Sequence, residues 1–293
     1  MKKLIFIFLV FLNSCSLFQS EIESVTDFLP RDTDLPGWMR TSFPEEFSAS
    51  AISKYKQEYR YIGARRVSIC YYNSLHNQED KVLVEVIKFD SILKSYGFFS
   101  KLASAFYFKP STRVELYEKD FAIALRGDIV IFAQSLSNSG NFAEILKKLV
   151  DVSLSYIGEF YNQESLPGSI SILDNEYKSS LIYTDGQNPA IQLDRVFMKT
   201  WKHKDITIDV FFSERQSNDE VMLIFNKLLQ NGYTLAETQN PKVAFVKPKQ
   251  RGYNFIAVRD KWIYGCIDAP SISYANEILE ILKSRISLYE RPR

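Results

Sequence analysis

The chain has 293 residues, of which 46% are hydrophobic and 24% charged, and its 36 Lys and Arg nearly balance its 35 Asp and Glu. That composition buries a core, so it excludes a disordered chain, and the net charge of +1 with interspersed signs carries no electrostatic footprint for nucleic acid. No run of one sign suggests a polybasic membrane patch either.

The amino terminus reads as an export signal. Lys2 and Lys3 precede nine apolar residues, Leu4 to Leu12, and then Asn13, Ser14 and Cys15. The apolar run is far shorter than the ~20 residues that span a bilayer. A basic start, a short apolar stretch and a small residue mark a cleavable leader, assigned to residues 1–14. Leu12-Asn13-Ser14-Cys15 resembles the bacterial lipobox, and that resemblance implies acylation of Cys15 after cleavage before it. Two or three acyl chains anchor durably where one anchors marginally. Residues 15–27 are polar at first and read as a short tether. The expected location is a bacterial cell envelope, on the periplasmic face or the outer surface.

The remainder predicts an α+β fold made of two tandem copies of a β-β-α-β-β-β-α unit with mainly antiparallel sheets. The first unit, with an amino-terminal extension, covers residues 28–162; a linker covers 163–192; the second unit covers 193–293. The extension contains Leu35-Pro36-Gly37-Trp38 and an expected helix near Ala49 to Tyr59. Strands are expected at Arg65 to Tyr72 and Lys81 to Phe89, the latter alternating as a half-buried strand. Ile92, Tyr96, Phe99 and Leu102 then share one helical face. Phe121 to Leu125, the turn Arg126-Gly127-Asp128 and Ile129 to Ala133 predict a hairpin, and a helix follows at Ala143 to Leu149 with Asn141 and Glu144 as its capping box. In the joining stretch Pro167, Gly168, Asp185-Gly186 and Asn188-Pro189 are turn signals.

The second unit repeats the order. Arg195 to Lys202 and Ile206 to Phe212 flank the turn His203-Lys204-Asp205; Val221, Ile224, Phe225 and Leu228 share a helical face; Tyr253 to Val258 and Trp262 to Ile267 flank Arg259-Asp260-Lys261; and Asn276 to Leu282 closes with a helix. The opening strands correspond at an offset of 124, the hairpins at about 132.

Several of these residues resemble an uncharacterised family of exported bacterial proteins, known as a domain of unknown function. They are Leu29-Pro30, Gly37-Trp38, Arg40, Pro44, Phe47, Tyr55, Tyr59 and Gly63; then Val84-Glu85-Val86 with Tyr96-Gly97-Phe98-Phe99-Ser100; then Leu166-Pro167-Gly168-Ser169. The likeness covers most of residues 28 to 290 and implies the fold and the exported address, with no activity to carry over. Lys56-Gln57-Glu58 departs from the Gly-Gly-Ala-Glu that the family often has after its first helix. The composition is similar to that of spirochaetal lipoproteins.

No constellation for catalysis, metal or nucleotide emerges. His76 and His203, the only histidines, fall in turns. An oxidising compartment would allow a disulfide between Cys70 and Cys266, but they fall in distant strands and thiols are among the most buried groups, so two buried thiols are the favoured reading. Arg126-Gly127-Asp128 spells an integrin-binding tripeptide, although Arg259-Asp260 recurs at the matching hairpin and turn chemistry alone explains it. The expectation is a non-enzymatic binding or scaffolding module without a cofactor. Its partners are the membrane through Cys15 and an envelope protein or a small apolar ligand, seated in a groove between the units. The alternatives are a carboxylate-dependent envelope enzyme, such as a glycan hydrolase, and a surface adhesin.

Overall fold

A computed structural model describes residues 24–56, 63–104, 114–137, 140–160, 168–173, 181–236, 241–248 and 252–291. Cys15 and the expected leader lie outside these residues, as does most of the expected tether. The body is α+β, with two antiparallel sheets of seven strands each.

The first sheet holds β1 (Trp38–Arg40), β2 (Glu45–Ser48), β3 (Ala64–Ser74), β4 (Lys81–Phe89), β5 (Glu115–Tyr117), β6 (Phe121–Arg126) and β7 (Ile129–Ser135). Its order is β1-β3-β4-β7-β6-β5, and β2 also pairs with β3. Central strands here are covered on both faces, so β4 reads as a continuous apolar run broken by one acid. Leu83 and Ile87 face one core cluster, Val82, Val84 and Val86 another. This corrects the half-buried alternation expected of β4: helices or loops lie over both faces.

Helix α1 (Ile52–Tyr55) is short among the described residues, less than the helix expected from 49 to 59. Helix α2 (Ile92–Ser104) buries Tyr96, Phe99 and Ala103 in the cluster that contains Leu83. Helix α3 (Ala143–Phe160) covers the other face with Leu146, Leu149, Val150, Leu154 and Ile157. Val25, Phe28, Leu29 and Leu35 join that second cluster. The tether expected over 15–27 therefore ends by Ser24, because Val25 is already core. β1 and β2 were not expected; they are too short to alternate and form by pairing along the β3 edge.

The second sheet holds β8 (Leu181–Thr184), β9 (Val196–His203), β10 (Ile206–Glu214), β11 (Thr234–Leu235), β12 (Lys242–Val246), β13 (Tyr253–Arg259) and β14 (Trp262–Ala269), in the order β11-β12-β13-β14-β10-β9-β8. Helix α4 (Asn218–Gln230) covers one face through Val221, Phe225 and Leu228. Helix α5 (Ile272–Tyr289) covers the other through Ile278, Leu282 and Ile286. The Ser217 and Ser271 hydroxyls cap α4 and α5 by accepting the N–H groups of Glu220 and Tyr274, each at 3.2 Å. At α3, Asn141 Oδ1 accepts from Ala143 N at 3.1 Å.

All three expected three-residue turns are tighter, Arg259-Asp260-Lys261 among them because Arg259 pairs with Trp262. His203 pairs with Ile206, leaving Lys204 and Asp205 as a two-residue turn with φ of 48° and 63°. Positive φ at both positions matches the right-handed twist of the flanking strands. Arg126 pairs with Ile129, so Gly127, with φ of 58°, and Asp128 form that turn.

The stretch expected to be a linker is structural. β8 forms an edge of the second sheet, and a 3-10 helix at Gly168–Ile172 buries Ile170 and Ile172. Among the described residues, side chains of the two sheets meet across the join. Helix α2 of the first sheet packs on β8 of the second, and one apolar cluster runs through both, from Val67 and Leu83 to Phe197, Phe212 and Trp262. The Tyr96 ring lies tilted against Phe197, with ring centres 6.1 Å apart, and its hydroxyl donates to the Leu181 carbonyl at 3.1 Å. Gly97 permits this approach, since a Cβ there would lie 2.6 Å from the Tyr183 ring.

Candidate functional site

Glu85 is the sole acid among the described residues whose side chain is entirely covered, at 0% exposure. Strand β4 places it between Leu83 and Ile87 on the face toward the shared core, with Ile69 beside it on β3 and Phe132 on β7. An ionised carboxylate in such surroundings persists only with charge and hydrogen-bond partners. The end of α1 supplies them. Lys56 Nζ lies 3.0 Å from both carboxylate oxygens, and the Tyr55 hydroxyl donates to Oε1. Phe47 on β2 stacks on Tyr55 at 5.0 Å, and the Lys56 ammonium sits 5.3 Å from the Tyr55 ring centre.

The chemistry of the cluster follows from those contacts. Burial, and after it the charge and hydrogen bond of Glu85, push the Tyr55 phenol far above its ordinary range, so it remains a donor and no phenolate forms near neutrality. Among the described residues Glu85 faces the Lys56 ammonium. Glu45 shares its face, but Ile69 stands between them in the row Glu45, Ile69, Glu85. As arranged, the cluster latches α1 onto the first sheet. Reading Glu85 as an outward residue of an alternating strand missed it; the available signal was a lone acid inside an apolar run of β4.

A second polar cluster lies in the other sheet. The Arg215 side chain is 0% exposed, and its Nη1 and Nη2 donate to Asp194 Oδ1 at 2.8 Å and to the Asp194 carbonyl at 2.6 Å. Burial works to raise the Asp194 carboxyl, and the bond and charge of Arg215 overcome it and hold it below its usual range. The Gln216 N–H is the main cause holding Glu220 low, aided by the Arg195 guanidinium against the effect of burial. These groups clip the chain before β9 to the end of β10 and the start of α4.

The residues singled out in the sequence are dispersed. Gly127 is buried and its carbonyl accepts from Ser95 at 2.8 Å; Asp128 Oδ2 pairs with Lys88 at 3.0 Å. A receptor reading Arg126-Gly127-Asp128 would have to displace Lys88. His203 lies 3.3 Å from Glu277, and the Tyr274 hydroxyl donates to its carbonyl at 2.7 Å. His76 packs near Gly37. Cys70 and Cys266 are free, buried thiols in different clusters. Burial pushes both thiols up, Cys266 to about 12. Among the described residues no group of three His, Cys, Asp or Glu is placed to hold a metal, and no helix is long and apolar enough to cross a membrane.

Compared with models of protein families, with curated proteins and with solved structures, the chain matches none.

Proposed function

We propose that this protein is a lipoprotein of a bacterial cell envelope, held by acyl chains on Cys15, and that it serves there as a non-enzymatic binding or scaffolding module. The observation that carries this reading is the sequence Lys2-Lys3, the apolar run Leu4 to Leu12, and Leu12-Asn13-Ser14-Cys15. Nine positions separate Cys15 from Ser24, a span of at most about 30 Å, so an acylated Cys15 keeps the body beside the bilayer. The Glu85 oxygens face Lys56 and Tyr55 within the fold, which supports a structural role for that buried acid. The partner on this reading is an envelope protein or a small apolar ligand, and the apolar cluster shared by the two sheets favours the first. Membership of the exported-protein family rests on the motifs quoted above.

The two units are, on this proposal, copies of one β-β-α-β-β-β-α ancestor. The strand order β3-β4-β7-β6-β5 parallels β9-β10-β14-β13-β12, which supports the duplication. Phe89 N donates to the Asp128 carbonyl and Arg215 N to the Lys261 carbonyl, each at 2.8 Å. Equating those bonds pairs 89 with 215 and 128 with 261, offsets of 126 and 133 in place of 124 and about 132.

Radiolabelled palmitate is expected to enter the parent protein, and a Cys15→Ala variant is expected to lose the label and move from the detergent phase to the aqueous phase. A parent that takes up no label, or a variant that still partitions into detergent, overturns the anchoring.

A further inference from the structure

Phe43 is 93% exposed, by a wide margin the most exposed large apolar side chain among the described residues. It stands in the loop between β1 and β2, where the first sheet's edge is interrupted. The loop is held against β3: Thr41 N donates to the Tyr71 carbonyl at 2.9 Å, and Cys70 Sγ lies 3.9 Å from the Ser42 carbonyl. The ring is thus presented to solvent from a fixed support.

Other exposed apolar residues lie along the same margin. Met39, 46% exposed, pairs with Asn73 on β3, and Asn73 pairs with Lys81 on β4. Leu75, 60% exposed, donates its N–H to the Gly37 carbonyl at 2.9 Å. Scattered single residues of this kind need no explanation, whereas a group on one margin marks a contact surface.

The occupant follows from where the amino-terminal chain meets the body. The Ser24 hydroxyl and the Val25 N–H donate to Glu46 Oε2 at 2.6 and 2.9 Å. Glu46 is three residues from Phe43 on the same edge. A chain fixed to lipid at Cys15 has nine positions, at most about 30 Å, before it reaches Glu46. That short leash brings this margin to the bilayer more readily than the far side of the second sheet, and tethering raises the local concentration of lipid far above what a weak contact would need alone.

We propose that the margin carrying Phe43, Met39 and Leu75 is a membrane-contact surface, with the Phe43 ring inserted at headgroup level. It rests on the acylated Cys15 and adds an orientation: the first sheet's β1–β2 edge lies against the bilayer and the α4 side of the second sheet faces away. An aromatic ring among flanking apolar groups suits that interfacial layer.

The test uses the full-length purified protein with phosphatidylcholine–phosphatidylglycerol vesicles, with and without brominated acyl chains. Phe43→Trp reports the contact, Leu223→Trp serves as the distal control because Leu223 is 72% exposed on α4, and the parent emission is subtracted. Phe43→Trp is expected to shift to the blue on vesicles and to lose at least half its added signal to bromine, and Leu223→Trp is expected to change by less than a tenth. Unshifted, unquenched Phe43→Trp emission overturns the contact whether or not the protein is acylated. Equal quenching at both positions overturns the orientation. Palmitate labelling of the same samples separates the two proposals: quenching without label keeps the contact and removes the anchor, and label without quenching does the reverse.

Discussion

The Ser100 hydroxyl accepts a hydrogen bond from the backbone N–H of Tyr183 at 3.2 Å, joining a helix of the first sheet to an edge strand of the second across 83 positions of chain. One turn away on that helix, Gly97 leaves room for the Tyr183 ring. A Leu at position 97 would have to push the ring aside, and overpacking of this kind costs about 1–3 kcal/mol. Gly97→Leu is therefore expected to lower the unfolding midpoint in urea. Ser100→Ala leaves a buried N–H without its acceptor and is expected to cost about 1–3 kcal/mol. Because one apolar cluster passes through both sheets, circular dichroism and tryptophan fluorescence of the parent are expected to give coincident transitions. Parental midpoints in both variants would detach this contact from stability.

The buried ion pair predicts an asymmetry. Lys56→Met leaves the covered Glu85 carboxylate without its cation and is expected to cost about 3–5 kcal/mol, the usual result of breaking a buried pair from one side. Glu85→Gln keeps an acceptor for Tyr55, and Lys56, whose side chain is 28% exposed, then turns to water. That variant is expected to cost about 1–3 kcal/mol. Denaturant unfolding of both variants decides the matter, and equal losses would contradict the asymmetry.

Acid is expected to loosen the second sheet's amino-terminal side. The carboxyls of Asp194 and Glu220 are held below their ordinary range in the folded protein. In the unfolded chain they bind protons first, so their contribution is fully present above the ordinary carboxylate range, near pH 4, and is lost as pH falls through the lower folded values. Once Asp194 is neutral, the covered Arg215 loses its nearer counter-charge and keeps only Glu220, 3.8 Å away, until that too is protonated. Asp194→Asn is expected to be less stable than the parent at pH 7 and to converge with it toward pH 2. Thermal melts across that range test the sign, and a constant difference would refute it.

Both body cysteines are expected to be unreactive in the native state. Their thiols are buried, and burial disfavours the thiolate that reacts. In a Cys15→Ala background, maleimide is expected to add nothing to the native protein and two adducts in guanidinium without reductant. A missing adduct in the denatured sample would indicate a bridge between Cys70 and Cys266.

Local patterns made much of this body legible. The bounds of β4 match those read from Lys81 to Phe89, and the hairpins around Gly127 and Asp260 lie where turn residues interrupt apolar runs. The amphipathic stripes of α2 and α4 point at the clusters they fill. What stayed hidden depends on contacts distant in sequence. Glu85 looked outward because alternation assumes one wet face, and only the positions of Tyr55 and Lys56 show how a carboxylate survives there. Leu181 to Thr184 is too short to announce a strand, and it becomes one by pairing with β9. Gly97 and Ser100 were visible as a motif, while their partner Tyr183 lay in the stretch taken for a connector.

The splice made by β8 has a practical corollary for anyone wishing to dissect the molecule. Cutting at 162 would strand Tyr96, Phe99 and Ala103 of the front fragment in water, and cutting at 193 would strip the rear fragment of β8, the strand that borders β9. Neither fragment is a portable cassette, and a library of half-length clones should yield aggregates where the uncut gene yields folded protein. Mixed in one refolding vessel, the two pieces have a ready way to complement each other, because each carries the surface the other lacks.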